Sequence, residues 1–130
     1  MSKHAIEAFG DALAGEMEPL GVKVSLVEPG NYNSEIVKTA GKRLGVSLAN
    51  ADRSKYQEPD DVAAAVASFL VDANPKRRYL VVPEQREAEI TIRKALQETV
   101  QINEKQQFTY DRKALIEMLD AELAAVQAAP

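Results

Sequence analysis

At 130 residues, 45% of them hydrophobic, the chain is long enough for one domain with its own core. Its formal net charge of −4 argues against a general nucleic-acid surface, so no nucleic-acid partner is expected. It has no cysteine and one histidine, His4. That leaves no material for disulfides, thiol nucleophiles, zinc–thiolate sites or a Ser-His-Asp triad, and no metal site is expected.

The longest apolar run, Val62 to Val71, is interrupted by Ser68 and is too short to cross a bilayer. No signal-peptide core precedes the first helical pattern. A cytoplasmic protein without a membrane partner is the expectation.

Residues 2–18 place Ala5, Ile6, Phe9, Leu13 and Met17 at spacings of three and four, with Ala8, Ala12 and Ala14 on a second flank. Such a wide apolar arc predicts a helix packed on two sides, one against a sheet and one against a neighbouring helix from the same or another subunit. The helical pattern begins at Lys3 without a cap sequence or preceding strand, as if the domain were entered midway. Pro19-Leu20-Gly21 stops the helix.

Val22, Val24 and Leu26 then alternate with Lys23 and Ser25, which predicts a strand over 22–28. Pro29 and Gly30 end it in a bend. In open α/β sheets, ligands bind beyond the carboxyl ends of the strands, so this bend is the first place to look for a site.

A short amphipathic helix is expected over Ser34 to Leu44, weakened by Gly41. The polar residues 45–57 read either as a lid beside the bend or as a surface connection. Glu58-Pro59-Asp60-Asp61 is a helix start, with proline at the first position and acidic residues at the positive end of the helix dipole. The helix should run over 59–73 and bury Val62, Val66, Phe69 and Leu70. Lys76-Arg77-Arg78 reads as a solvated turn rather than a phosphate patch, and 79–82 as a short buried strand closed by Pro83. The β-α-β order predicts two parallel strands.

No third strand is evident, which suggests partners in another chain or in an absent segment, and a poorly soluble or oligomeric product. Residues 85–104 form a charged amphipathic helix. Thr109 is a candidate cap for a last helix carrying Leu115, Ile116, Leu119 and Leu123.

Three segments, in order, resemble the short-chain dehydrogenase/reductase family. Met1-Ser2-Lys3-His4-Ala5-Ile6-Glu7-Ala8-Phe9 resembles the segment holding the lysine of the Tyr-x-x-x-Lys motif and the helix after it. Val27-Glu28-Pro29-Gly30 with Ser34 resembles the Pro-Gly turn and the hydroxyl residue four positions on. Glu58-Pro59-Asp60-Asp61-Val62-Ala63, then Arg78-Tyr79-Leu80-Val81-Val82, resembles the penultimate helix and final core strand.

The resemblance implies a helix-rich α/β chain, a partial Rossmann-like (doubly wound) fold over 1–83 with a helical extension over 84–130. It implies an oxidoreductase that interconverts an alcohol and a carbonyl with NAD or NADP, and a homo-oligomer paired through helix 2–18. Lys3 matches the lysine that holds the nicotinamide ribose and favours the phenolate of the family's tyrosine. Pro29, Gly30, Asn31 and Ser34 match the cofactor side; Gly30 would leave room for the ring, and Ser34 could also cap the next helix. Tyr32, Ile36 and Val37, with Leu44, could line a substrate pocket.

The family's tyrosine would precede Met1, and no two glycines are spaced as Gly-x-Gly for a phosphate loop. The chain therefore reads as a carboxyl-terminal half, a truncated product or fragment, and dinucleotide binding and turnover by it alone are not expected. A non-catalytic helical interaction or dimerisation module is the competing reading.

Overall fold

The computed structural model describes residues 3–45 and 55–128, apart from the side chains of Val37, Lys38 and Leu44. Most of the segment considered as a lid, and the Val37 and Leu44 side chains proposed for the pocket, thus lie outside the described residues. The chain divides into two compact units, Met1–Ala88 and Glu89–Pro130.

In the first unit, helix α1 (Lys3–Met17) continues into a 3-10 turn (Glu18–Leu20). Gly21 ends it in the left-handed conformation, φ 74°, with its N–H donated to the Glu18 carbonyl at 3.0 Å. This is the stop that Pro19-Leu20-Gly21 encodes. Strand β1 (Leu26–Pro29), helix α2 (Ile36–Leu44), helix α3 (Asp60–Val71) and strand β2 (Arg78–Val81) follow.

The strands pair in parallel, Leu26 opposite Arg78 and Pro29 opposite Val81. They form a two-stranded sheet, part of a doubly wound α/β arrangement. Side chains opposite one another in a parallel pair share a face, and faces alternate along each strand. Leu26 meets Gly10 of α1, and its partner Arg78 reaches Asp11 of α1. Tyr79, one residue on, meets Phe69 of α3 with ring centroids 6.0 Å apart. Helix α1 therefore covers one face of the sheet and α3 the other.

The paired strand is shorter and later than the alternation over 22–28 suggests. Val22 to Ser25 precede β1, because β2 begins only at Arg78 and offers them no ladder. Pro29 closes β1 from inside it; the missing N–H does no harm there, since the next one, of Gly30, continues the ladder to the Val81 carbonyl at 2.8 Å. Strand β2 likewise starts one residue before the expected Tyr79, so Arg78 is a strand residue rather than a turn residue. Pro59 occupies the N-cap of α3, not its first helical position, and its carbonyl accepts from the N–H groups of Val62 and Ala63, each at 3.1 Å. Leu70, expected in the core, is 70% exposed, while Ala65 takes a half-buried position beside Val62, Val66 and Phe69.

The three basic residues before and in β2 are held by the chain itself. Arg77 pairs with Glu18 at 3.7 Å, and the Lys76 ammonium stands 4.9 Å from the centre of the Tyr79 ring. The Arg78 guanidinium donates to both Asp11 of α1 and Glu28 of β1, which ties three elements together. These two carboxylates raise the Arg78 pKa against the opposing effect of burial.

The core is thin. Among the described residues, Ala14 and Tyr32 are the buried hydrophobic side chains. Apolar side chains of α1 stay open, with Ile6 52% and Phe9 65% exposed.

In the second unit, helix α4, which begins in the first (Gln85–Asn103), is followed by α5 (Arg112–Ala128). Asn103 bridges the turn between them. Its amide donates to the Tyr110 carbonyl and accepts from the Tyr110 N–H, both at 2.9 Å. The side chain that caps α5 is Asp111, accepting from the Ala114 N–H at 2.8 Å, and not Thr109.

Candidate functional site

Strands β1 and β2 end side by side, at Pro29 and Val81, and the chain bends away over residues 30–35. A cleft of about 270 Å³ opens at this end of the sheet. It is lined by Lys3 from the start of α1, by Pro29, Gly30, Asn31, Tyr32 and Ser34 from the bend, and by Ile36 from the first turn of α2. Residues 26 sequence positions or more from Lys3 thus share one surface with it, and the fold alone brings them together. Sequence reasoning missed Pro59 and Val62, which complete the lining from the start of α3. The Glu58-Pro59-Asp60-Asp61 signal located that helix but not the direction it faces.

The bend is held by its own backbone. The Gly30 N–H goes to the Val81 carbonyl at 2.8 Å, and the Asn31 N–H to the Glu87 carboxylate at 2.9 Å. The Tyr32 N–H goes to the Gly30 carbonyl at 3.1 Å, and the Asn33 N–H to the Gln57 carbonyl at 2.7 Å. The Asn33 side chain also donates to Glu58 at 2.6 Å, fastening the bend to the segment before α3. Four consecutive N–H groups are therefore donated within the protein. They are already occupied and are not offered to a ligand in the cleft.

Gly30 is closely approached on one side by the protein itself. A Cβ there would collide with the Glu87 carboxylate and lie 3.0 Å from Val82 and 3.1 Å from Pro83. The space that a side chain would need is filled by the protein. Nor does Ser34 cap α2: Glu35 holds the N-cap position and makes no side-chain cap bond.

Tyr32 is 4% exposed, the most enclosed of the lining side chains. Burial pushes its phenol pKa up, and the negative charges of Asp61 and Glu87 push it further in the same direction. Tyr32 is thus held neutral, a poor proton acceptor at ordinary pH. Among the described residues, no group of His, Cys, Asp and Glu side chains is arranged to hold a metal ion. His4 faces Glu7 at 3.5 Å on the exposed side of α1.

Comparison with known proteins shows what part of this chain is similar to. The mitochondrial D-beta-hydroxybutyrate dehydrogenase of Bos taurus is 62% identical over 84 residues, which cover 57% of this chain and 24% of that enzyme. The chain is related to the short-chain dehydrogenase/reductases over part of its length. Short-chain dehydrogenase/reductase family 9C member 7 of Mus musculus is 38% identical over 104 residues, covering 61% of this chain and 33% of the relative. An NADPH-dependent 3-dehydrocapnine reductase of Ornithobacterium rhinotracheale is 36% identical over 98 residues, covering 65% and 35%.

The chain thus spans between about a quarter and about a third of the length of these short-chain dehydrogenase/reductases. These relatives are oxidoreductases by name. No family model and no solved structure matches the chain. No helix among the described residues is long and apolar enough to cross a membrane.

Proposed function

We propose that the cleft at the carboxyl ends of β1 and β2 is the nicotinamide side of an NAD(P)-dependent site that interconverts an alcohol and a carbonyl. The observation that carries this reading is the convergence of Lys3 with Pro29, Gly30, Asn31, Tyr32, Ser34 and Ile36 around one opening. The size agrees. About 270 Å³ is just short of the roughly 300–1,000 Å³ of complete ligand pockets. It suits one end of a dinucleotide rather than the whole.

The chemistry of the lining agrees as well. With the bend N–H groups already donated within the protein, a carboxamide here would have to pair with the acceptors that remain. The bound nicotinamide supplies or takes up the hydride. Lys3 contributes a positive charge at the rim, where it binds ribose hydroxyls and favours the phenolate of a neighbouring tyrosine. In the family that tyrosine lies four residues before the matching lysine, outside this chain. Ser34 stands beside the bend as a hydroxyl for the cofactor, and Tyr32 and Ile36 face a small-molecule alcohol or carbonyl substrate. No two glycines of the sequence are spaced as Gly-x-Gly, so turnover is not expected of these residues alone.

Helix α1 serves as the pairing surface of a homo-oligomer, a reading supported by the exposure of its apolar Ile6 and Phe9. That exposure also favours the second reading, a non-catalytic interaction module, so dimerisation does not separate the two.

Titration of the isotope-labelled full chain with reduced nicotinamide mononucleotide does separate them. At millimolar ligand, the amides of Gly30, Asn31 and Ser34 should shift while those of α5 stay in place. NADH should bind no tighter than the mononucleotide, because the sequence has no Gly-x-Gly loop to hold the second phosphate. Unmoved amides at the bend would leave the interaction module as the better account, and micromolar NADH binding would overturn the missing-phosphate-site argument.

A further inference from the structure

Glu87 was not singled out by any motif, yet it makes the most specific contact at the bend. It lies in the first turn of α4, 56 positions from Asn31. One carboxylate oxygen accepts the Asn31 backbone N–H at 2.9 Å, and the other accepts the Asn31 side-chain amide at 3.2 Å. The same carboxylate occupies the space beside Gly30 that a side chain would need. Of the four N–H groups from Gly30 to Asn33, the other three end on backbone carbonyls. Only that of Asn31 ends on a side chain, so only this one can be removed by a substitution. Glu87 does not line the cleft. It grips the bend from behind while Gly30 and Asn31 present their other side to the opening.

We propose that Glu87 is a positioning residue: its two-pronged grip on Asn31 fixes the backbone of the Gly30–Asn31 wall. Two bonds from one rigid, charged group to two donors of one residue leave the peptide little rotational freedom. A Cβ at position 30 would fall on this same carboxylate, so a side chain there would disturb the grip. As a contribution to cofactor binding, this inference rests on the function proposed above. As a statement about the bend, it does not.

The conservative variant supplies the decisive control. In Glu87→Gln, the carbonyl oxygen still accepts the Asn31 N–H. The new NH2 group faces the Asn31 amide, which can rotate by half a turn and accept from it. Both bonds survive without the charge. In Glu87→Ala both are lost.

Amide hydrogen exchange on the full chain reads the difference. Protection of the Asn31 amide should fall at least about tenfold in Glu87→Ala, the scale expected for a lost bond to a charged group. It should recover most of the way in Glu87→Gln. Protection of the Ala14 amide, in the packed part of α1, should not change in either variant. Should Glu87→Ala fail to fold, Glu87→Asp, one methylene shorter, takes its place with the same expected loss.

An equal fall at Ala14 and Asn31 would overturn the proposal, since Glu87 would then be a general stabiliser. An unchanged Asn31 amide would also overturn it. The mononucleotide titration repeated on these variants tests the link to the site. Weaker binding in Glu87→Ala, rescued in Glu87→Gln, supports that link. If the wild-type chain shows no shifts at the bend, the functional reading fails, while the exchange result still decides the role of Glu87.

Discussion

Helix α1 carries two glycines whose surroundings differ, and substituting each by alanine should move stability in opposite directions. A Cβ on Gly15 meets nothing within 4 Å. Gly15→Ala should therefore collect only the gain in helix propensity, up to about 1 kcal/mol and less near a helix end. A Cβ on Gly10 would lie 2.6 Å from Leu26 Cδ2, 3.0 Å from Cγ and 3.1 Å from Cδ1. Carbon atoms in good contact sit roughly 3.5–4.0 Å apart, so the nearest pair is about 1 Å too close. Because the Leu26 branch point is also crowded, turning the terminal methyls does not clear the clash, and α1 or β1 must shift.

Such overpacking costs about 1–3 kcal/mol, against a propensity gain of about 1. Gly10→Ala should be neutral to about 2 kcal/mol destabilising, and at least about 1 kcal/mol worse than Gly15→Ala. Urea unfolding followed by helical circular dichroism, at matched protein concentrations, measures the difference. If Gly10→Ala stabilises as much as Gly15→Ala, helix α1 does not pack on β1 through Gly10 and the layering deduced for the first unit is wrong.

Three further outcomes test other parts of the structure. Asp111→Ala should cost about 1 kcal/mol by removing the cap of α5, seen as earlier loss of helical signal, whereas Thr109→Ala should have little effect. Arg78→Ala should destabilise the first unit by up to about 1 kcal/mol at low salt and by less at high salt, because its partners Asp11 and Glu28 are only partly buried. Arg78→Lys should recover part of the loss, a point charge being unable to reproduce the fork to two carboxylates. Finally, Tyr32 should ionise above the ordinary phenol value of 10.0. The folded state keeps this proton after the unfolded chain has lost it, so the stabilisation is complete below pH 10.0 and is lost as pH rises through the raised folded value. Phenolate absorbance of the wild type minus Tyr32→Phe gives the titration directly.

The sequence carried the order of elements because each boundary has a local cause. Gly21 stops α1, the acidic turn starts α3, and Pro29-Gly30 bends the chain away from the sheet. Alternation alone misplaced the start of β1, because a strand exists only where a neighbour supplies hydrogen bonds, and Arg78 sets that limit. The cap of α5 was misread because Thr109 and Asp111 are both good capping residues, and the choice between them depends on where the turn bridged by Asn103 releases the chain.

At the site, the residues of the bend were legible through their resemblance to a family motif. Glu87, Pro59 and Val62 were not, since each meets the bend only through the fold. The basic run at 76–78 was read as a solvated turn, and the pairing of Arg77 with Glu18 and of Arg78 with Asp11 and Glu28 is long-range and depends on the fold.

The Gly10–Leu26 contact has a geometric reach beyond its own neighbourhood. Seven residues of α-helix turn through nearly two whole revolutions, so Lys3 projects from almost the same side of α1 as Gly10, about 10 Å away along the axis. Ala14, buried, lies on that side too. The helix is thus keyed to the sheet at two small residues, and this key sets the bearing on which Lys3 leaves its first turn. A rotation of α1 by a single residue position would swing that lysine through roughly 100°. A methyl group at Gly10 therefore acts on the cleft as a change of aim rather than of composition.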